Sequence, residues 1–207
     1  AYLLPSLPLV KRLVGTLADG LSVPVTAKIR LLAGERATLD VACAIEAAGA
    51  SALCVHARTV KQRPKYADRD TSGAGQVANW AAIKAVRQAV GIPVIANGGI
   101  ETYEDALRCI DETGVAAVMS AEALLEDPDL FSEGRAARLA DTATAVKGSL
   151  GLAREFLDLA EAYPSELTYP PTKSHLFKIL HRLLGADQAE ARKLYDAGLP
   201  LDLRQEL

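Results

Sequence analysis

Three apolar stretches of the chain carry their polar side chains at every second position. In 23–31 (VPVTAKIRL) these are Thr26, Lys28 and Arg30; in 51–59 (SALCVHART) they are Cys54, His56 and Arg58. In 92–100 (IPVIANGGI), Asn97 shares its parity with Ile95. Alternate side chains of an extended strand point to opposite faces, so each stretch offers a cation, an imidazole or an amide on one face. Taken singly, each has an ordinary explanation: a snorkelling lysine, a structural histidine, or an Asn97-Gly98-Gly99 turn. Their coincidence at equivalent places in three strands says more. Such groups at one mouth are costly unless a partner satisfies them, and that partner is anionic or strongly hydrogen-bonding.

Other segments extend this chemistry. The turn Met119-Ser120-Ala121-Glu122-Ala123 has small residues whose backbone N–H groups can approach a phosphate, although Glu122 adds negative charge and an ordinary capping turn reads equally well. The loop 58–69 (RTVKQRPKYADR) sets Arg58, Lys61, Arg63, Lys65 and Arg69 against one acid, Asp68. It is either a solvated charge run or a surface for a polyanion. Near the C-terminus, His175, Lys178 and Arg182 fall at helical spacing opposite Leu176, Ile179 and Leu183. That pattern predicts an amphipathic helix with a basic stripe or a plain solvent face.

The elements that must position these residues follow from pattern. Strand-like runs at 23–31, 51–59, 92–100 and 115–120 alternate with helical patterns at 35–48, 78–90 and 103–113, and another helix at 8–18 precedes them. Gly49, Gly91 and Gly114 stand where helices prefer to end. Strands alternating with helices predict a parallel sheet. Four such units are too few to close an eight-stranded barrel, which takes about 250 residues. An open doubly wound sheet needs a Gly-rich turn after its first strand, and this chain has only Leu32-Ala33-Gly34 there. The expected fold is therefore α/β, the C-terminal half of a (β/α)8 TIM barrel over 1–131, followed by a small all-helical domain over 132–207. Helices are expected there at 146–162, 173–184 and 186–197, with a break at 163–171.

The chain has 207 residues, half of them hydrophobic, with a net charge of -3, which excludes intrinsic disorder. No apolar run reaches about 18 residues, so no membrane partner is expected. Three cysteines (Cys43, Cys54, Cys109) without a CxxC pair, and no histidine at ligand spacing, point to no metal and to a reducing compartment, cytoplasmic or nuclear. The opening Ala1-Tyr2-Leu3 reads as the interior of a longer chain.

The segments PVTAKIR, VHARTVKQR, the Asn79-Trp80 pair, IPVIANGGI and GVAAVMSAEALLEDPDLF together resemble the tRNA-dihydrouridine synthases. MSAEALL and SHLFKILH resemble the eukaryotic-type branch acting on positions 16 and 17 of the tRNA D-loop. The resemblance covers nearly the whole chain. It implies an FMN-bearing β/α barrel with a helical tRNA-binding domain, reducing uridine to 5,6-dihydrouridine with NADPH as reductant. It implies that Lys28 and His56 contact the flavin, that Asn97, Gly98 and Gly99 approach it, and that Ala121 and Glu122 hold its phosphate through backbone N–H groups. Many bacterial relatives carry Gly-Arg at those last two positions, so the resemblance does not carry over a side-chain phosphate contact here. Arg30, Arg58, Lys61, Arg63, Lys65, His175, Lys178 and Arg182 would meet tRNA. The family's proton-donating cysteine lies in a Cys-Pro segment upstream of a stretch like AYLLPSLPLVKRLV. None of this chain's cysteines precedes a proline, so that donor is expected before residue 1 and no dihydrouridine formation by residues 1–207 alone. Two other readings stay open: a non-catalytic RNA-binding relative, and an FMN barrel acting on a small molecule.

Binding of tRNA is expected to weaken with salt, with a log–log slope of roughly -0.7 to -0.9 per neutralised phosphate. Replacing both Arg63 and Lys65 with Ala should flatten that slope, as read from filter binding at several salt concentrations. An unchanged slope makes the loop a solvated charge run.

Overall fold

The structure, a computed structural model, describes residues 3–4, 6–59, 77–132, 142–164 and 171–180. Two compact units divide the chain, Ala1–Ser120 and Ala121–Leu207.

In the first unit, helix α1 (Leu7–Gly20) precedes β1 (Thr26–Leu31), α2 (Glu35–Ala47), β2 (Ala52–Thr59), α3 (Trp80–Ala89), β3 (Val94–Asn97), α4 (Tyr103–Thr113) and β4 (Ala117–Met119). The four strands form one parallel sheet in sequential order, β1-β2-β3-β4. Each crossover is a helix, as parallel neighbours require. Ile29 and Leu31, Leu53, Val55 and Ala57, and Val94 and Ala96 all point to one face. There they pack into a single cluster with Val41, Ala42 and Ile45 of α2, Ile83 and Val86 of α3, and Ala106 and Cys109 of α4. The expected α/β class with a parallel sheet is what forms.

The expected strands are longer than the observed ones, and proline and glycine explain the trimming. β1 begins at Thr26 rather than Val23, because Pro24 has no N–H for the ladder and Val23 is left 63% exposed. Pro93 likewise precedes β3, and Gly98 and Gly99, both at positive φ, end it. The last strand contracts to Ala117–Met119.

Helix ends are held in several ways. Thr102 and Asp105 form a reciprocal capping box at the start of α4, and Gly114 ends it in the left-handed region at φ 70°. Gly91 does not take the helix-ending role expected of it: α3 stops at an extended Val90, and positive φ is absent at Gly91. Instead, Glu46 of α2 accepts from the Gly91 and Ile92 N–H groups at 2.7 and 3.0 Å. A carboxylate from one helix thus satisfies the donors that the next helix–strand turn leaves open.

The described elements of the second unit are helices: α5 (Glu122–Glu126), α6 (Thr142–Ala162) and α7 (Thr172–Ile179). α7 packs against α5 and α6, with Ile179 and Ala153 buried. The helix expected at 186–197 and the end of the one expected at 173–184 lie outside the described residues.

Ile45 is 1% exposed between α2 and the sheet, whereas Leu107 on α4 is 52% exposed. Ile45→Ala should cost about 2–5 kcal/mol, and Leu107→Ala no more than about 0.5 kcal/mol. Urea unfolding monitored by far-UV circular dichroism checks the contrast.

Candidate functional site

With the apolar side chains under the helices, the alternate ones occupy the sheet's other face. The register places Arg30, His56, Asn97 and Met119 in one cross-strand row, and Lys28, Cys54, Ile95 and Ala117 in the row before it. Lys28, His56 and Asn97 therefore share a face near the C-terminal strand ends, as the strand parity predicts.

Their contacts are specific. The Lys28 ammonium donates to Asn97 Oδ1 at 2.8 Å, joining β1 to β3. Asn97 Nδ2 donates to the Met119 carbonyl at 2.9 Å, joining β3 to β4. Asn97 is only 8% exposed, so both ends of its amide need partners. The partners also fix its orientation. A flipped amide would set its NH2 against an ammonium and its oxygen against a carbonyl.

His56 accepts at Nδ1 from Arg30 Nε at 3.2 Å, and its Nε2 lies 3.5 Å from Arg58 Nη1. A guanidinium only donates. The Nδ1 lone pair is therefore occupied, the proton of the neutral ring sits on Nε2, and Arg58 cannot accept it. That N–H is available to donate. Burial, then the charges of Arg30, Lys28 and Arg58, push the imidazole down to about 4. At neutral pH His56 is thus a hydrogen-bond donor, poorly matched to general acid–base work. Burial raises the Cys54 thiol, with Lys28 opposing in part.

Two glycines shape the rim. Gly98 has φ 100°, and a Cβ there would lie 2.9 Å from His56 Cδ2. Only glycine lets this turn sit so close to the imidazole. Gly99, at φ 74°, packs down on Ala78, where an added Cβ would meet the Ala78 Cβ at 2.9 Å. Trp80 Nε1 donates to the Gly98 carbonyl at 3.0 Å, and Ser120 Oγ donates to the Ile100 carbonyl at 2.8 Å. The strand and helix patterns of the sequence assign Trp80 no role of its own. Its position directly after the helix-capping Asn79 is the signal that puts its ring at the sheet's C-terminal end.

Lys28, Arg30, Arg58 and His56 make this face rich in donors, which suits a phosphate, a carboxylate or a heteroaromatic dione. Ala121 and Glu122, the other expected cofactor residues, open α5 in the second unit. There His175 stacks on Phe156, with ring centroids 5.6 Å apart, and Lys178 lies in the last turn of α7. Lys61, Arg63, Lys65 and Arg182 fall outside the described residues. Among the described residues there is no cluster able to hold a metal ion, and no helix long and apolar enough to cross a membrane.

His56 sets a pH dependence. Above its ordinary value of 6.5, both folded and unfolded chains hold it neutral. As the pH falls toward 4, the unfolded chain binds the proton first, so stability is lost across that window. Urea midpoints measured from pH 7 to 4.5 should fall more steeply for the wild type than for His56→Gln.

The profile of the family described as Dihydrouridine synthase (Dus) matches residues 1–193. A tRNA-dihydrouridine(16/17) synthase-like protein of Mus musculus is 40% identical over 188 residues, covering 91% of this chain and 35% of its own length. The tRNA-dihydrouridine(16/17) synthase of Schizosaccharomyces pombe is 32% identical over 199 residues, covering 94% of this chain and 47% of its own length. The chain thus spans less than half the length of these relatives. Among solved structures, a dihydrodipicolinate synthase from Agrobacterium tumefaciens aligns at a TM-score of 0.48 and 18% identity, covering 67% of this chain and 44% of that one.

Proposed function

The chain belongs to the dihydrouridine synthase family, and from that premise we propose that it serves the reduction of uridine to 5,6-dihydrouridine in the tRNA D-loop, with FMN as cofactor and NADPH as reductant. In this reading the sheet is the last four strands of a β/α barrel whose interior is the donor-rich face, and the unit that follows is a helical tRNA-binding domain. The sequential parallel order, the helices on one face and the polar rows on the other support it.

The observation that carries the reading is the Lys28–Asn97 hydrogen bond of 2.8 Å, made between strands 69 residues apart in sequence. Asn97 has both amide ends committed, so its part is to aim Lys28. Lys28 would then hold the flavin with its remaining N–H donors. His56 adds the Nε2–H, and Gly98 and Gly99 keep side-chain bulk off the rim. Ala121 and Glu122 would hold the phosphate through backbone N–H groups. FMN, when bound and reduced, would supply hydride to one carbon of the uracil C5–C6 double bond, with a general acid supplying the proton to the other carbon. Arg30 and Arg58, with Lys61, Arg63 and Lys65 of the loop and His175, Lys178 and Arg182 of the helical unit, would bind tRNA phosphates, which attract cations strongly.

FMN titrated into the protein should lose fluorescence on binding. Lys28→Met removes a charged hydrogen bond of about 1.5–3 kcal/mol, so its Kd should rise by about ten- to hundredfold. An unchanged Kd in that variant refutes the assignment of Lys28 to the flavin.

A further inference from the structure

Trp80 makes no hydrogen bond to the polar rows, yet it donates to the turn that borders them. Its place is set from β2. The Asn79 N–H donates to the Ala57 carbonyl at 2.8 Å, and the Asn79 side chain accepts from Ala82 N at 3.0 Å. The start of α3 is thereby tied to the end of the strand that carries His56. From there the indole Nε1 donates to the Gly98 carbonyl. The Arg108 guanidinium lies over the ring, 5.2 Å from its centroid, and is itself held by Asp105 at 2.7 Å. Asp105 belongs to the capping box that begins α4. The indole is therefore fixed by two helix starts, one on each side of β3.

What it holds is a segment with unusual freedom. Gly98 and Gly99 both sit at positive φ, and successive glycines let the peptide between them rotate easily. That peptide is trans, so its carbonyl and its N–H point in opposite directions. Holding the Gly98 carbonyl toward Trp80 turns the Gly99 N–H away from it. The same hold sets the distance between Gly98 and the His56 ring, where no Cβ fits.

We propose that Trp80 is a positioning residue: its indole N–H selects one orientation of the Gly98–Gly99 peptide and keeps the turn against His56, pre-organising the rim for a planar, acceptor-bearing heteroaromatic ligand. As to the ligand, this rests on the flavin reading above. A turn that must be ordered at binding costs affinity, and one ordered beforehand does not.

Trp80→Phe keeps an aromatic ring under Arg108 and removes the donor. Loss of one neutral hydrogen bond predicts an FMN Kd about three- to tenfold higher, with kinetics shifted toward faster dissociation. The His56 titration, followed by NMR, should move up toward the ordinary imidazole value as the turn lifts and water reaches the ring. An FMN Kd within twofold of the wild type, with His56 titrating as before, overturns the proposal and leaves the flavin reading standing. Failure of the wild type to bind FMN overturns the flavin reading instead, and His56 in Trp80→Phe still decides the positioning role. Trp80 is the chain's single tryptophan, so the wild type offers a test even if the variant does not fold. Its one indole N–H resonance should exchange slowly with solvent and shift on FMN addition. Rapid exchange contradicts the hold on Gly98.

Discussion

The Lys28–Asn97 hydrogen bond crosses from β1 to β3 over the intervening strand, and it depends on the register that the strands keep up to Arg30, beyond which β1 shifts against β2. Arg30 pairs with His56 and His56 with Asn97 across the parallel ladder. A slip of one residue would send every donor of a strand under the helices and every apolar side chain into the open. The energies decide which face wins. Burying a valine or isoleucine side chain is worth about 1.5–3 kcal/mol. Burying a lone cation costs several times that. Ile45, Ile83 and Val86 therefore draw one face of the strands inward, and the donors are left together on the other.

Once gathered, the donors shape one another. Burial, together with the charges of Arg30, Lys28 and Arg58 around it, keeps the His56 imidazole neutral. Arg30 occupies its Nδ1, so the ring has one N–H to give. Two acidic side chains, Glu46 and Asp105, serve backbone donors away from this face. Glu46 serves the Gly91–Ile92 turn, and Asp105 serves the N–H groups of Glu101 and Thr102. Those two carboxylates close turns between helices and strands, while the open face is left rich in donors.

The rim is a matter of volume and backbone conformation. Gly98 approaches His56 more closely than a side chain permits. The freedom that allows this also makes the turn loose, and the indole and serine hydrogen bonds to Gly98 and Ile100 counter that looseness. A close approach and a fixed approach are thus supplied by different residues.

The strand periodicity was legible in the sequence because a period of two is a local property. Thr26-Lys28-Arg30 and Cys54-His56-Arg58 declare their faces without any neighbour, and the alternation of strand and helix implies a parallel sheet. The family motifs are local in the same sense. Pro24, Pro93 and the Gly98-Gly99 pair carried the strand limits too, had their missing N–H groups and positive φ been weighed above the apolar run. The orientation of the Asn97 amide, the His56 tautomer, the Glu46 cap and the Trp80–Gly98 bond were not legible. Each joins atoms from segments between 18 and 69 residues apart, and such distances are set by sheet register and helix packing. Sequence alone determined which residues could meet on one face; the folded sheet decided which atoms do, because hydrogen bonds depend on tenths of an ångström that no local pattern encodes.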